Sequence, residues 1–110
     1  DDHLVAHNAG FDMGVIRAAC AATFVACPEY SYLCSLQVAR RTYTLDSYRL
    51  PVAAMAAGFD GFQHHDALAD AEACAAIVIH AARHHEAATV EDLAGLTGAR
   101  LGRIGIPVAA

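Results

Sequence analysis

The stretch His3–Asp12, HLVAHNAGFD, decides how the rest of the chain is read. HLVAH (3–7) is a short β-favouring run and reads as a buried strand. Asn8-Ala9-Gly10 breaks it. From Phe11 to about Phe24 the apolar residues Phe11, Val15, Ala19 and Ala22 fall at helical spacing, with Met13 and Ile16 beside them. Asn8 is the expected N-cap of that helix, and Pro28 ends the segment. Residues at such a strand-to-helix junction project from the carboxyl end of the strand, where α/β sheets place ligands. Asp12 is expected in the first helical turn.

Working outward, YSYLC (30–34) is aromatic-rich and reads as a second strand. Ser35 is placed to cap a short helix through Arg41. A helix is expected over 47–57, with Pro51 in its first turn and Gly58 at its C′ position. A loop spans Phe59 to His65. The clearest helix runs from Asp66 to about His85, and its middle, Ala73 to Ile79, is apolar on every face, which predicts burial on several sides. Asp66, Asp70 and Glu72 at its start and Arg83, His84 and His85 at its end suit the helix dipole. A last helix is expected over 90–96, and the glycine- and arginine-bearing tail from Gly98 reads as a linker. This order gives an α/β layer with about two strands and four to five helices. Two strands do not make a stable sheet, so the sheet is expected to be completed elsewhere.

At 110 residues the chain has room for one domain. Hydrophobic residues make up 56 %, much of it alanine, which excludes disorder and predicts a core of small groups. Net charge is -5, and all seven basic side chains are arginines. A broad basic nucleic-acid surface is therefore excluded, while binding through carboxylate-held cations stays open. The longest apolar run is too short to span a bilayer, and no signal peptide is visible. Position 1 is Asp, which suggests an excised or truncated piece. The four cysteines (20, 27, 34, 74) contain no Cys-x-x-Cys pair, and they read as reduced, buried, small hydrophobes in a cytoplasmic protein.

Two clusters carry candidate chemistry. In the first, HNAGFD (7–12), Asp12 either complements a helix dipole or holds a ligand. In the second, HHDALADAEACA (64–75), Asp70 enters a packed layer, which is costly unless the carboxylate is paired or bound to a cation. His65 precedes the helix on a glycine-containing loop, where an imidazole can titrate near neutral pH and take a proton from water. The blander account has Asp66 capping the helix, Asp70 favouring its dipole, and the histidines as loop residues.

Together the two clusters resemble the second and third motifs of the DEDDh (DnaQ-like) 3′→5′ exonucleases, typified by the proofreading epsilon subunit of bacterial DNA polymerase III. The pattern is His-Asn-x-x-Phe-Asp, then His-x-Ala-x-x-Asp some fifty residues later. The resemblance runs from about Leu4 to Ala82 and includes SYRLPVAAMAAGF (47–59) between the motifs. It implies the later part of a ribonuclease-H-like fold, with residues 1–87 in the exonuclease domain and 88–110 as a short helix and tail. It implies phosphodiester hydrolysis at a nucleic-acid 3′ end by two divalent cations, Mg²⁺ or Mn²⁺. Asp12 and Asp70 would be metal ligands and His65 the general base. Asn8, Phe11 and His7 would lie at the mouth of the site, near the terminal nucleotide. A sister group has Tyr four residues before the second of these carboxylates, where this chain has Asp66. Single-stranded or 3′-end nucleic acid and a DNA polymerase subunit are the implied partners, with no membrane.

The first motif of that family, an Asp-x-Glu on a first strand, is read as absent from the whole chain, and Asp1-Asp2 stands too close to the second-motif strand to replace it. In the family the strand matching His3–His7 lies beside that first strand, so an open sheet edge and a dimer through it are expected. A catalytically silent binding or assembly module of the same fold is the competing reading. A zinc site at His80, His84 and His85 is a weaker one, against histidines that simply close a helix. Arg40-Arg41 and Arg100/Arg103 either touch phosphates or form a solvated face.

Overall fold

Both strands expected at the start of the chain form, and they lie side by side. In the computed structural model, which describes residues 3–59 and 66–105, β1 (His3–Ala6) runs parallel to β2 (Tyr30–Cys34). Their register sets Val5 opposite Leu33. Between them runs α1 (Ala9–Thr23). After β2 come α2 (Ser35–Thr42), α3 (Leu50–Ala56), α4 (Ala67–His84) and α5 (Val90–Thr97), and the described chain closes with β3 (Gly102–Ile104).

The third strand corrects the reading of the tail as a linker. β3 pairs antiparallel with β2, Tyr32 opposite Gly102 and Tyr30 opposite Ile104, and gives the sheet order β1-β2-β3. Glycines signalled a linker, but in a strand glycine also marks close approach of another backbone. Gly105 shows this: its φ is +88°, and a Cβ there would sit 2.1 Å from the Pro28 carbonyl oxygen. Ile104 is fully buried and anchors the strand.

Helices α2 to α5 cover one face of the sheet. Period-two alternation points Val5 and Leu33 into that layer. There Leu50, Ile77 and Cys74 pack with Ala39, Ala53, Ala54 and Ala73, while Leu33, Val38 and Leu93 pack with Ala81, Ala94 and Ala99. Alanines at these contacts let the helix backbones approach closely, in keeping with a core of small groups. His3 fastens the amino end of the sheet, with Nδ1 hydrogen-bonded to the Ser31 hydroxyl and Nε2 at 2.8 Å from Glu91.

Local signals explain the helix ends. Pro51 falls in the first turn of α3, where an N–H would have no intrahelical partner. Gly58 takes φ +85°, donates to Met55 O at 3.0 Å, and Phe59 N–H returns to Ala54 O at 2.9 Å, a Schellman closure. The Tyr48 hydroxyl donates to Tyr43 O at 3.0 Å and accepts from Leu45 N at 3.3 Å, so the chain stays folded ahead of α3 and the helix starts at Leu50 rather than Ser47.

Three further expectations are corrected. Asn8 occupies the N-cap position of α1 but makes no side-chain cap; it adopts φ 67°, ψ 54°, a left-handed conformation that Asn tolerates. Ser35 is the first residue of α2, after Cys34 at the cap, and its hydroxyl is used elsewhere. Burial is also narrower than the apolar pattern suggested. On α1 only Ala9 and Met13 are buried, while Phe11 is 68 % and Val15 54 % exposed. On α4, Ile79 is 53 % exposed. A sheet of three short strands offers too little surface to bury every apolar stripe. Cys34 and Cys74 are buried as expected, whereas Cys20 and Cys27 are half-exposed. Among the described residues no helix is long and apolar enough to cross a membrane.

Two glycine substitutions separate strain from helix propensity. Gly105→Ala meets both the positive φ and the Pro28 carbonyl and is expected to lower stability by about 1–3 kcal/mol. Gly14→Ala in α1, with nothing within 4 Å, is expected to raise it by about 0.5–1 kcal/mol. Urea unfolding of the two variants checks both signs.

Candidate active site

The first motif lies where the junction argument put it. β1 ends at Ala6, and the left-handed Asn8 turns the chain into α1, with Phe11 N–H donating to Asn8 O at 3.1 Å. The Ala9 N–H donates to Cys34 Sγ at 3.4 Å, which ties the start of α1 to the end of β2. Asp12 is thereby held in the first turn of α1. Asp70 sits in the first turn of α4, whose cap is Asp66, its carboxylate accepting from Leu68 N at 3.2 Å. Both carboxylates therefore stand at helix N-termini, where the partial positive charge of the peptide dipoles favours them.

Tertiary packing brings the two together. Asp12 and Asp70 line one cavity of about 450 Å³ at the carboxyl end of β1, with Val5, Ala6, His7, Arg49, Leu50, Ala71 and Cys74 completing its wall. Burial holds the Cys74 thiol above its ordinary pKa, helped by the negative charge of Asp70 and Asp12, so the thiol stays protonated and unreactive. That both carboxylates act on one sulfur is a further sign of their convergence.

His7 is built into the wall. Its Nδ1 lies 2.9 Å from the Ser35 hydroxyl and its Nε2 2.6 Å from the Tyr48 carbonyl. The carbonyl can only accept, so Nε2 carries the proton and Nδ1 accepts from Ser35. With both ring nitrogens engaged, His7 shapes the cavity and has no spare hydrogen bond for a ligand. Burial lowers its pKa, the Tyr48 carbonyl partly opposes that, and the Arg40 charge lowers it further.

The other expected residues divide. Asn8 and Phe11 are exposed on the first turn of α1 beside Asp12, but neither is in the cavity wall. His65 lies outside the described residues. Arg49 was missed: it caps α3 and places a cation on the wall that holds both carboxylates. Starting the helix at Ser47 concealed it, since that put Arg49 inside a helix rather than at its mouth. Ser35 and Cys74 were read only as a cap and a core thiol. An Asp-x-Glu spelling does occur, at Asp70-Ala71-Glu72, but within α4. Residues two apart on a helix face different ways, and Glu72 is exposed outside the cavity, so the triplet does not supply the strand motif.

Two carboxylates in one cavity fit a hard divalent cation that keeps waters and takes remaining oxygens from a phosphate. Among the described residues no group of three His, Cys, Asp or Glu side chains is placed to hold a metal by itself. The zinc reading fails there too: His80 Nδ1 meets the Tyr43 hydroxyl at 2.7 Å and His85 Nε2 meets the Thr42 hydroxyl at 3.0 Å.

A cavity lined by two carboxylates at the carboxyl end of a parallel strand is in keeping with a nuclease-type hydrolase, the class to which the comparisons with known proteins point. The sequence model described as "Exonuclease", of RNase T type, matches residues 1–78, and the chain belongs to that family, whose members generally use divalent metal ions. A Mycobacterium tuberculosis (strain CDC 1551 / Oshkosh) protein, provisionally named a bifunctional exonuclease/endonuclease, is 41% identical over 76 residues. That match covers 66% of this chain and 12% of the mycobacterial protein. No solved structure matches the chain.

Because His7 is held neutral, the unfolded chain binds the extra proton more readily than the fold. Stability is therefore expected to be full above about pH 6.5, the ordinary histidine value, and to decline as the pH falls below it. His7→Gln is expected to cost about 1–3 kcal/mol at pH 8 by unpairing Ser35 or Tyr48, and to flatten that decline. Thermal melts of both proteins between pH 5 and 8 test it.

Proposed function

We propose that the chain is the later part of a DEDDh-type 3′→5′ exonuclease domain. The convergence of Asp12 and Asp70 on one cavity is the observation that carries this reading. Nucleic acid with a single-stranded 3′ end is the substrate. Asp12 and Asp70 hold the divalent cations, Mg²⁺ or Mn²⁺, and Arg49 faces the phosphate. When bound, two such cations polarise the phosphate and lower the pKa of the attacking water. His65 takes the proton of that water as general base. His7 and Ser35 position the Asp12 turn. Asn8 and Phe11, exposed beside Asp12, contact the terminal nucleotide. Proofreading alongside a polymerase subunit in a bacterial cytoplasm is the setting that the likeness to the epsilon subunit supports.

Two further proposals concern the surroundings. Residues 1–87 form the exonuclease part, with 88–110 appended. Among the described residues β1 pairs on one side only, and a second chain or a further strand completes the sheet there. Light scattering after size exclusion is expected to show a dimer, and a monomer at high concentration would overturn self-pairing.

The competing reading, a silent binding module, is favoured by one observation: no strand of the described chain carries Asp-x-Glu, so only two of the four family carboxylates are matched. End-labelled oligonucleotides decide between them. In the intact protein, release of mononucleotides from the 3′ end, dependent on Mg²⁺ or Mn²⁺, is expected, whereas these 110 residues alone are expected to be weak or inactive. His65→Ala is expected to slow it about 10²–10⁴-fold. Asp12→Asn and Asp70→Asn are expected to abolish both cleavage and the rise in Tm on adding cation. Release from the 5′ end first would sink the assigned polarity, and cleavage indifferent to all three substitutions would sink the site.

A further inference from the structure

Three of the seven arginines gather in one place. Arg40 and Arg41 lie in the last turn of α2 and, with Gln37, Gly98 and Ala99, line a cavity of about 160 Å³. Gln37 also lines an adjoining cavity of about 650 Å³, where it is joined by Arg100. Gly98, at φ 72°, ends α5, and Ala99 is buried in the core, so Arg100 is delivered to the side of α2. Helix-dipole complementarity accounts for Arg40 and Arg41. It does not account for Arg100, which precedes a strand.

No carboxylate among the described residues neutralises these charges. Among the described residues the ion pair formed is His3 with Glu91, and none of the three arginines lies within ion-pairing distance of a carboxylate. Like charges gathered around two cavities that share Gln37, together one groove, repel, and an anion with repeated charges relieves that repulsion. The groove also neighbours the carboxylate cavity. Its wall includes Gly10, two residues before Asp12, and Cys34, which holds the first N–H of α1. The Arg40 charge acts on His7, in the wall of the other cavity.

We propose that the groove lined by Gln37, Arg40, Arg41 and Arg100 is a phosphodiester track for the single strand that leads away from the carboxylate cavity. The inference rests on the nuclease reading above and adds where the uncleaved strand lies. Guanidinium forks suit phosphate oxygens, and Gln37 supplies a neutral donor between them. A net-negative protein can in this way hold a polyanion along one strip.

The test compares wild type with an Arg40→Gln/Arg41→Gln/Arg100→Gln variant, and with Arg83→Gln as a single-charge control at an exposed site. Anisotropy of a fluorescent oligothymidylate is followed over a salt series in EDTA, where the carboxylates hold no cation. Hydrolysis of a thymidine 5′-phosphate aryl ester with Mn²⁺, too small to reach the groove, is measured in parallel. The triple variant is expected to bind at least tenfold more weakly at low salt, with a log–log salt slope shallower by about 2, as loss of three single-strand phosphate contacts requires. Arg83→Gln is expected to leave the slope unchanged, and ester hydrolysis should survive in both. Circular dichroism confirms that each variant is folded. Equal affinity and slope in wild type and the triple variant would overturn the track, as would polyglutamate binding as tightly as the oligonucleotide. If the intact protein hydrolyses no ester while oligonucleotide binding still depends on the three arginines, the track stands and the nuclease reading falls.

Discussion

The neutral His7 imidazole is the constraint on which the site depends. It accepts from Ser35 at the start of α2 and donates to the Tyr48 carbonyl just before α3, two segments far apart in the chain. The end of β1 is thereby fixed against both. The Asn8 turn follows directly, so the direction of α1 and the place of Asp12 follow from it. The same bond to Tyr48 sets the approach to Arg49 and Leu50 on the cavity wall. Ser35 is fully buried, so its hydroxyl has no water to fall back on if the ring leaves. Holding a site on packed secondary structure through such bonds is how a geometry of sub-ångström tolerance is kept.

The second constraint is the size of the core residues. Alanines from α2, α3 and α4 pack against one another, and close backbone approach carries the first turn of α4 toward the carboxyl end of the sheet. Larger side chains would hold α4 farther out and part Asp70 from Asp12. The cost is limited coverage. Against a sheet of three short strands, α1 keeps Phe11 and Val15 largely exposed. Exposed apolar side chains of this size mark interaction surfaces when they cluster.

Charge is segregated rather than balanced. The carboxylates of Asp12 and Asp70 sit at two helix N-termini around one cavity, and arginines line the neighbouring groove. The overall charge of -5 therefore says little about what the molecule binds. A polyanion responds to the local field, and an arginine-lined groove presents positive potential to it, as the carboxylate cavity would with cations bound. Cys74, buried beside the carboxylates with a raised pKa, adds no competing nucleophile.

Much of this was legible in the residues themselves. HLVAH and YSYLC became the paired strands because β-favouring side chains alternate there, and Asp66 caps α4 because its carboxylate reaches the next turn's N–H. HNAGFD and HHDALAD gave the family and the two carboxylates, since motif spelling survives without knowledge of packing. Other features were not local. The tail glycines read as a linker because nothing in their neighbourhood reveals that β2 lies alongside to be paired. Arg49 was hidden by a helix start that a Tyr48 hydroxyl bond displaces. The exposed stripe of α1 has the periodicity of a buried one, and only the extent of the sheet decides which it is. Sequence alone determined element types and the family, because propensity and motif are properties of neighbours in the chain. Tertiary structure decided which side chains share a wall, because that depends on register, helix spacing and the long-range hydrogen bonds of one histidine.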